Sequence, residues 1–172
     1  RGRGRSEGQQ NAFGWGWTQD IAGAIAFLKS RPEVDAQRIG GLGLSTGADA
    51  LVQAAGQGAD LRAVVADGAA AESFEDWRRL QGIGAMTPFF AAEFGTVRIT
   101  SGAQAGPPLE DMVKRVTEPL LLVSGGRKEE YEFNVKYDRA AGSRPWPDRA
   151  AFIDLALERR VTPCRPPSGR RS

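Results

Sequence analysis

The architecture follows from one segment, Arg38-Ile39-Gly40-Gly41-Leu42-Gly43-Leu44-Ser45-Thr46-Gly47. Its first seven residues form a short, glycine-containing apolar run, which is typical of a buried strand. A helix is predicted directly after Ser45, because apolar residues recur at helical spacing, namely Ala48, Leu51, Val52 and Ala55. The segment therefore predicts a strand, a tight turn at Ser45 and a helix.

Other parts of the chain repeat this alternation. Short apolar runs at 62–66 and 120–124 predict two more strands. An earlier helix is predicted from Thr18, a suitable N-cap, to a point before Pro32, and later helices over 130–141 and 148–160. Strands that alternate with helices predict an α/β protein whose parallel sheet is covered by helices on both faces.

Two regions depart from the alternation. Residues 69–111 contain Trp77, Phe89, Phe90 and Phe94 among scattered glycines, and we interpret them as a mostly helical lid insertion. Residues 161–172 combine arginine, serine and proline, which favours a disordered tail. The expected organisation is one domain over 1–160 followed by this tail.

Residues 43–47 also match the pattern G-x-S-x-G. Between a strand and a helix this pattern is typical of a nucleophile elbow, in which Gly43 and Gly47 would prevent clashes around a strained Ser45. The amide of Thr46 would then point at a developing oxyanion. The alternative is a plain glycine-lined turn in which Ser45 caps the helix.

Two further phrases carry a family resemblance. Arg1-Gly2-Arg3-Gly4-Arg5-Ser6-Glu7-Gly8 resembles the R-G-H-G-x-S-x-G loop of the α/β-hydrolase superfamily, and Val34-Asp35-Ala36-Gln37-Arg38-Ile39-Gly40 resembles the phrase before the nucleophile strand in its dienelactone hydrolase-like and serine peptidase-like branch. The resemblance covers residues 1 to about 141, the family's later half. It implies a partial α/β-hydrolase fold, and we expect a truncated or degenerate copy.

The resemblance implies a serine hydrolase that cleaves small ester or amide substrates, with Ser45 as nucleophile and Thr46 at the oxyanion. The acid should follow the strand at 120–124, where Glu130 is the candidate and Glu129 and Glu132 are alternatives. A solvated acidic helix start explains these three equally well. Asp67, after the preceding strand, could be a shifted acid or a turn residue.

The chain contains no histidine. The proton on Ser45 therefore has no imidazole to accept it, and we expect feeble turnover or none. A non-catalytic binding module on the same scaffold is the alternative function. The resemblance implies no cofactor and no metal, and the single cysteine excludes a disulfide framework or a cysteine-rich metal site.

Charge and hydropathy limit the partners. The formal net charge is +2, and the excess is basic only because eight arginines lie in 1–5 and 159–172. We therefore expect no nucleic-acid partner. Apolar runs are too short for a membrane span, and we see no signal peptide, so we expect a cytoplasmic protein. Three parallel strands alone would leave apolar edges, which favours self-association.

Overall fold

The computed structural model describes residues 4–8, 13–79, 84–125, 128–142 and 150–154. Their helices and strands follow one another in the order α1 (Trp17–Lys29), β1 (Gly41–Leu44), α2 (Thr46–Gly56), β2 (Val64–Asp67), α3 (Phe74–Arg79), α4 (Thr87–Ser101), α5 (Leu109–Val113), β3 (Leu120–Ser124), α6 (Lys128–Ala141) and β4 (Ala150–Asp154). A short 3₁₀ helix at Gly84–Met86 precedes α4.

The four strands form one parallel sheet in the order β1-β2-β3-β4. The register aligns Gly43 with Ala66 and Ala66 with Leu122 across the first three strands. The carboxyl ends of all four strands therefore lie at one edge of the sheet. The predicted α/β class and the strand–turn–helix at Ser45 are confirmed.

The core lies between one face of the sheet and three helices. α2 contacts β1 and β2, α6 contacts β3 and β4, and α5 lies between the two helices. Alternate residues on the strands are fully buried against them, namely Val64, Ala66, Leu120 and Leu122. The opposite face carries Leu42 and Leu44, which are 70% and 62% exposed. In the described part of the chain, the predicted helical cover is thus present on one face only.

The helix predicted over 148–160 is wrong for residues 150–154, which form β4. All five pair in parallel with β3, from Leu120 opposite Ala150 to Ser124 opposite Asp154. Alanine favours a helix, but helix propensity is a weak preference, and pairing with the neighbouring strand β3 outweighs it. The remainder of that prediction, and the tail predicted over 161–172, lie outside the described residues.

Two further predictions concern the start of α1 and the segment between β2 and β3. Thr18 is not the N-cap of α1, because Gly16 occupies that position in a left-handed conformation (φ 83°). The segment between β2 and β3 is mostly helical, as predicted for 69–111, and its role as a lid stays a prediction. No helix in the described ranges is both long and apolar enough to cross a membrane.

Candidate active site

Ser45 lies on the turn between β1 and α2, with a backbone conformation that side chains rarely adopt (φ 52°, ψ −125°). Its N–H donates to the carbonyl of Asp67 at 2.8 Å, and its own carbonyl accepts from the N–H of Ala48 at 2.7 Å. These two bonds hold the turn against β2 on one side and α2 on the other. The residue is exposed at the carboxyl edge of the sheet.

The two glycines of the pattern differ in what they permit. A Cβ on Gly43 would lie 2.4 Å from the carbonyl oxygen of Gly47, far inside van der Waals contact. A Cβ on Gly47 would meet no described atom within 4 Å. Both glycines were expected to prevent clashes around Ser45, but only Gly43 is needed to let the turn close on itself.

The amide of Thr46 is the first of α2. Ser45 accepts the N–H groups of Ala48 and Asp49 through its carbonyl, whereas the Thr46 N–H has no acceptor among the described residues. Free N–H groups at a helix start attract negative charge. Gly14, in the loop before α1, packs against Thr46, since a Cβ there would lie 2.8 Å from its Cγ2. An anionic oxygen above Ser45 would find this amide available.

Glu130 lies beside the Ser45 turn, although 85 residues separate the two in sequence. Its Oε1 accepts the N–H of Gly125 at 2.5 Å, which draws the carboxylate back over the end of β3. That oxygen and the Ser45 nitrogen are each 3.7 Å from the position that a Cβ on Gly68 would take. Gly68 has φ 73°, and its N–H donates to Val123 at 2.8 Å. The ends of β1, β2 and β3 therefore place the Ser45 backbone and the Glu130 carboxylate beside the same glycine, Gly68.

The alternative acids lie differently. Glu129 is exposed, and Glu132 is 3.9 Å from the Nζ of Lys128 on the outer part of α6. Asp67 ends β2, and its backbone carbonyl holds the Ser45 turn. Of the three glutamates that the sequence left open, Glu130 is the one whose carboxylate contacts the strand ends.

No metal centre accompanies these groups within the described ranges: no three Cys, Asp or Glu side chains there are placed to hold an ion. The chain has no histidine anywhere. The arrangement can present a serine hydroxyl, a helix amide and a carboxylate at one edge of the sheet, with no imidazole between the serine and the acid.

Comparison with known proteins identifies the architecture. No protein-family model and no curated protein matches the sequence. An esterase of Pyrococcus furiosus, solved in two crystal forms, aligns with TM-scores of 0.57 and 0.58 at 20% and 18% identity, over 91% of this chain and 58% of that one. A glucuronoyl esterase from Solibacter usitatus aligns at 0.52 and 15% identity, over 90% of this chain and 46% of that one. A lipase-esterase related protein from Clostridium acetobutylicum aligns at 0.51 and 16% identity, over 89% and 70%.

The fold is that of the α/β hydrolases. At these identities the likeness concerns the fold alone, and the chain spans little more than half the length of the Pyrococcus esterase. The α/β fold expected from the sequence is thereby confirmed.

The aromatic residues of the predicted lid serve two separate clusters in this α/β-hydrolase fold. Phe90 stacks on Trp77 with ring centroids 4.4 Å apart, and Trp77 meets Phe133 of α6 edge-on at 5.2 Å. Phe94 instead stacks against Trp15 at 6.2 Å. Phe89 is 59% exposed. Phe89 meets Phe90 edge-on at 5.6 Å, so Phe94 is the one of the three phenylalanines that packs elsewhere.

A cluster of buried carboxyl groups, which the sequence analysis did not predict, lies at the loop that follows β2. Asp49 of α2 accepts the N–H of Ala70 at 2.9 Å, and burial raises the pKa of its carboxyl to about 7. Burial and the neighbouring charge of Asp49 raise the pKa of Glu72 to about 8. One Glu72 oxygen has no hydrogen-bond partner within the described part of the chain. Burial also raises the pKa of Asp76.

The signal for this cluster was weak. Asp49 follows the elbow in the first turn of α2, where an acidic residue normally faces solvent and the helix dipole. Asp49 is buried because the loop after β2, which contains Glu72, packs against it. The sequence near Asp49 does not predict this contact.

Proposed function

We propose that this chain carries the nucleophile of a serine hydrolase that acts on small esters or amides. Ser45 would attack the carbonyl carbon, and the amide of Thr46 would stabilise the oxyanion. Glu130 would be the acid of a triad, which orients the base and stabilises its protonated form. The observation that supports this proposal most is the backbone of Ser45, a strained turn at the carboxyl end of β1.

The missing proton acceptor limits the rate. When the serine oxygen bonds to the acyl carbon, its proton must leave, and the alcohol or amine must depart with one. Arginine stays protonated, and no histidine is present. Losing one member of a catalytic triad costs several orders of magnitude in rate. We therefore expect this chain to hydrolyse esters slowly, if Ser45 reacts at all.

Labelling with a fluorophosphonate probe tests the nucleophile directly. The probe phosphonylates an activated serine with loss of fluoride, so mass spectrometry should place the adduct on Ser45. Ser45→Ala should abolish labelling. Ser30→Ala, which removes an exposed serine at the end of α1, should leave it unchanged. Equal labelling of wild type and Ser45→Ala would contradict the proposal.

Added imidazole tests the missing base. Imidazole can accept the serine proton while the serine oxygen forms the acyl-enzyme and p-nitrophenolate leaves; water then releases acetate. We expect imidazole to raise p-nitrophenyl acetate turnover by the wild type above the rate measured with Ser45→Ala at the same imidazole concentration, which includes the protein-free reaction. Glu130→Gln should lower that increment, because the carboxylate would no longer stabilise an imidazolium. No increment in the wild type would count against the assignment.

A non-catalytic binding module is the second candidate, and the absence of histidine favours it. It predicts neither probe labelling nor imidazole rescue in a well-folded protein. The finer assignment, to the dienelactone hydrolase-like or serine peptidase-like branch with 69–111 as a lid, is part of our proposal. The phrase at 34–40 supports it.

A further inference from the structure

A cavity of about 320 Å³ lies between the loop before α1 and helix α4. Trp15 and Phe94 form its inner wall, with rings stacked at 16° and exposures of only 3% and 6%. The indole is fixed, because its Nε1 donates to the carbonyl of Glu72 at 2.7 Å. Phe74 adds a third aromatic side chain. The inner part of the cavity, which we name the Trp15 pocket, is therefore apolar and rigid.

The rim of the Trp15 pocket is polar. It is formed by Arg98 and Gln104, both exposed. Neither side chain forms an ion pair or hydrogen bond with any residue in the described ranges, and no carboxylate is among the described lining residues. Arg79, by contrast, is balanced by Glu75 and Asp111 at 3.0 and 2.9 Å. The rim thus offers a guanidinium and an amide whose donors are free.

We propose that the Trp15 pocket binds a small organic carboxylate whose body is a single aromatic ring or a branched aliphatic group. A guanidinium matches a carboxylate in shape and charge and can bind both oxygens. The ring would lie among Trp15, Phe74 and Phe94. A volume near the lower end of ligand pockets suits one ring rather than two. The proposal is independent of catalysis, since Ser45 does not line this pocket.

Gly95 supplies a direct test of the space. It lines the pocket, and a Cβ added to it would meet no described atom within 4 Å. Gly95→Leu should therefore fill the cavity without a backbone clash, and leucine favours a helix more than glycine does. The variant is expected to fold and to lose the space for the ring.

The experiment is calorimetric titration of the full chain with phenylacetate, with phenylacetamide and with acetate. Phenylacetate should bind; phenylacetamide should bind about tenfold more weakly, because it lacks the charge, and acetate should not bind measurably. Arg98→Gln should weaken phenylacetate binding about tenfold and leave phenylacetamide unchanged. Arg115→Gln, an exposed arginine outside the pocket, is the matched control.

Three results would overturn the proposal. One is equal affinity of wild type and Arg98→Gln for phenylacetate. Another is retained phenylacetate binding by Gly95→Leu with the circular dichroism of the wild type. The third is no heat of binding in the wild type at any accessible concentration. Since Ser45→Ala should bind phenylacetate normally, loss of the proposed catalysis and loss of this pocket are separate outcomes.

Discussion

At the scale of single residues, the backbone of Ser45 is strained, because its φ is positive. Among described non-glycine residues, only Phe13 shares a positive φ with Ser45. A non-glycine residue held in such a conformation costs on the order of 1–3 kcal/mol. The bonds to Asp67 and Ala48 hold the conformation in place. Strain that is maintained in this way is a feature of functional sites, and it can be measured by substitution.

Replacing Ser45 with glycine should stabilise the chain relative to Ser45→Ala. Both variants lack the hydroxyl, but alanine keeps the Cβ that makes φ 52° unfavourable, whereas glycine adopts it freely. We expect Ser45→Gly to unfold with a free energy about 1 kcal/mol higher, after allowing for the greater entropy of unfolded glycine. Urea denaturation of the two variants measures the difference. Equal stabilities would mean that the turn is unstrained.

Substituting the two glycines of the elbow should have opposite effects. Gly43→Ala would place a methyl group 2.4 Å from a backbone carbonyl, so we expect a loss of about 2 kcal/mol or more in the free energy of unfolding. Gly47→Ala meets open space in the first turn of α2 and should leave stability unchanged or raise it by about 0.5 kcal/mol. The same denaturation measurement checks both variants. A destabilised Gly47→Ala would contradict the geometry.

At the scale of elements, helix α2 links the elbow to the buried carboxyls. Its N-terminus receives the Ser45 turn. About one and two turns further along, it places Asp49 and Gln53 in the interior, 5% and 1% exposed. The amide of Gln53 donates to the carbonyl of Pro107. The helix thereby joins the site to the segment between β2 and β3, and protonation of the cluster should influence the whole unit.

The free energy of unfolding should fall as the pH rises. Glu72 and Asp49 have pKa values of about 8 and 7 in the fold, well above their ordinary values, so the folded state binds protons that the unfolded chain has released. Their stabilising contribution is complete below about pH 4 and is lost as pH rises towards 8. The slope can reach about 1.4 kcal/mol per pH unit for each proton. Denaturation at a series of pH values measures it.

Glu72→Gln isolates one of these protons. The neutral amide cannot ionise, so the profile should flatten between pH 5 and 8, and the variant should exceed the wild type in stability at pH 8 but not at pH 5. Glu7→Gln, at an exposed position, serves as control. An unchanged pH profile in Glu72→Gln would show that Glu72 is not the group that titrates.

At the scale of the whole molecule, the outer edge of β1 has no neighbouring strand among the described residues. Beside this edge, Leu42 and Leu44 are exposed on one face of the sheet. A groove of about 500 Å³ runs between β1 and α1, with Trp17, Ile21 and Leu28 on its far side. An open strand edge beside exposed apolar surface invites pairing with another chain. We propose that the chain associates with a second copy of itself through this edge.

Sedimentation velocity over a range of concentrations tests the edge. The wild type should associate increasingly with concentration, and Leu42→Lys should remain monomeric, because a charge opposes edge pairing. Ile99→Lys, which replaces an 83% exposed isoleucine on α4, should associate like the wild type. A wild type that stays monomeric throughout, or an equal effect of both lysines, would contradict the assignment.

The turn at Ser45 could be predicted because its signals are local. The pattern at 43–47 needs only a strand before it and a helix after it, and both are visible in neighbouring residues. Glu130 stays a candidate acid: the family resemblance implies an acid after β3, and three glutamates lie there. What distinguishes Glu130 from the other two is its contact with the Gly125 amide and its position beside Gly68. The spacing of residues in the sequence does not predict these contacts.

Local pattern in this chain thus sufficed for the alternation of strands and helices, the bend at Ser45 and the absence of any imidazole to serve it. Packing between distant segments was required for the fourth strand, for the differing needs of Gly43 and Gly47, for the buried carboxyls and for the Trp15 pocket. The reason is physical. Backbone propensity and hydrophobic periodicity act within a few residues, whereas pairing of β4 with β3 and desolvation of Glu72 arise only when remote parts of the chain meet.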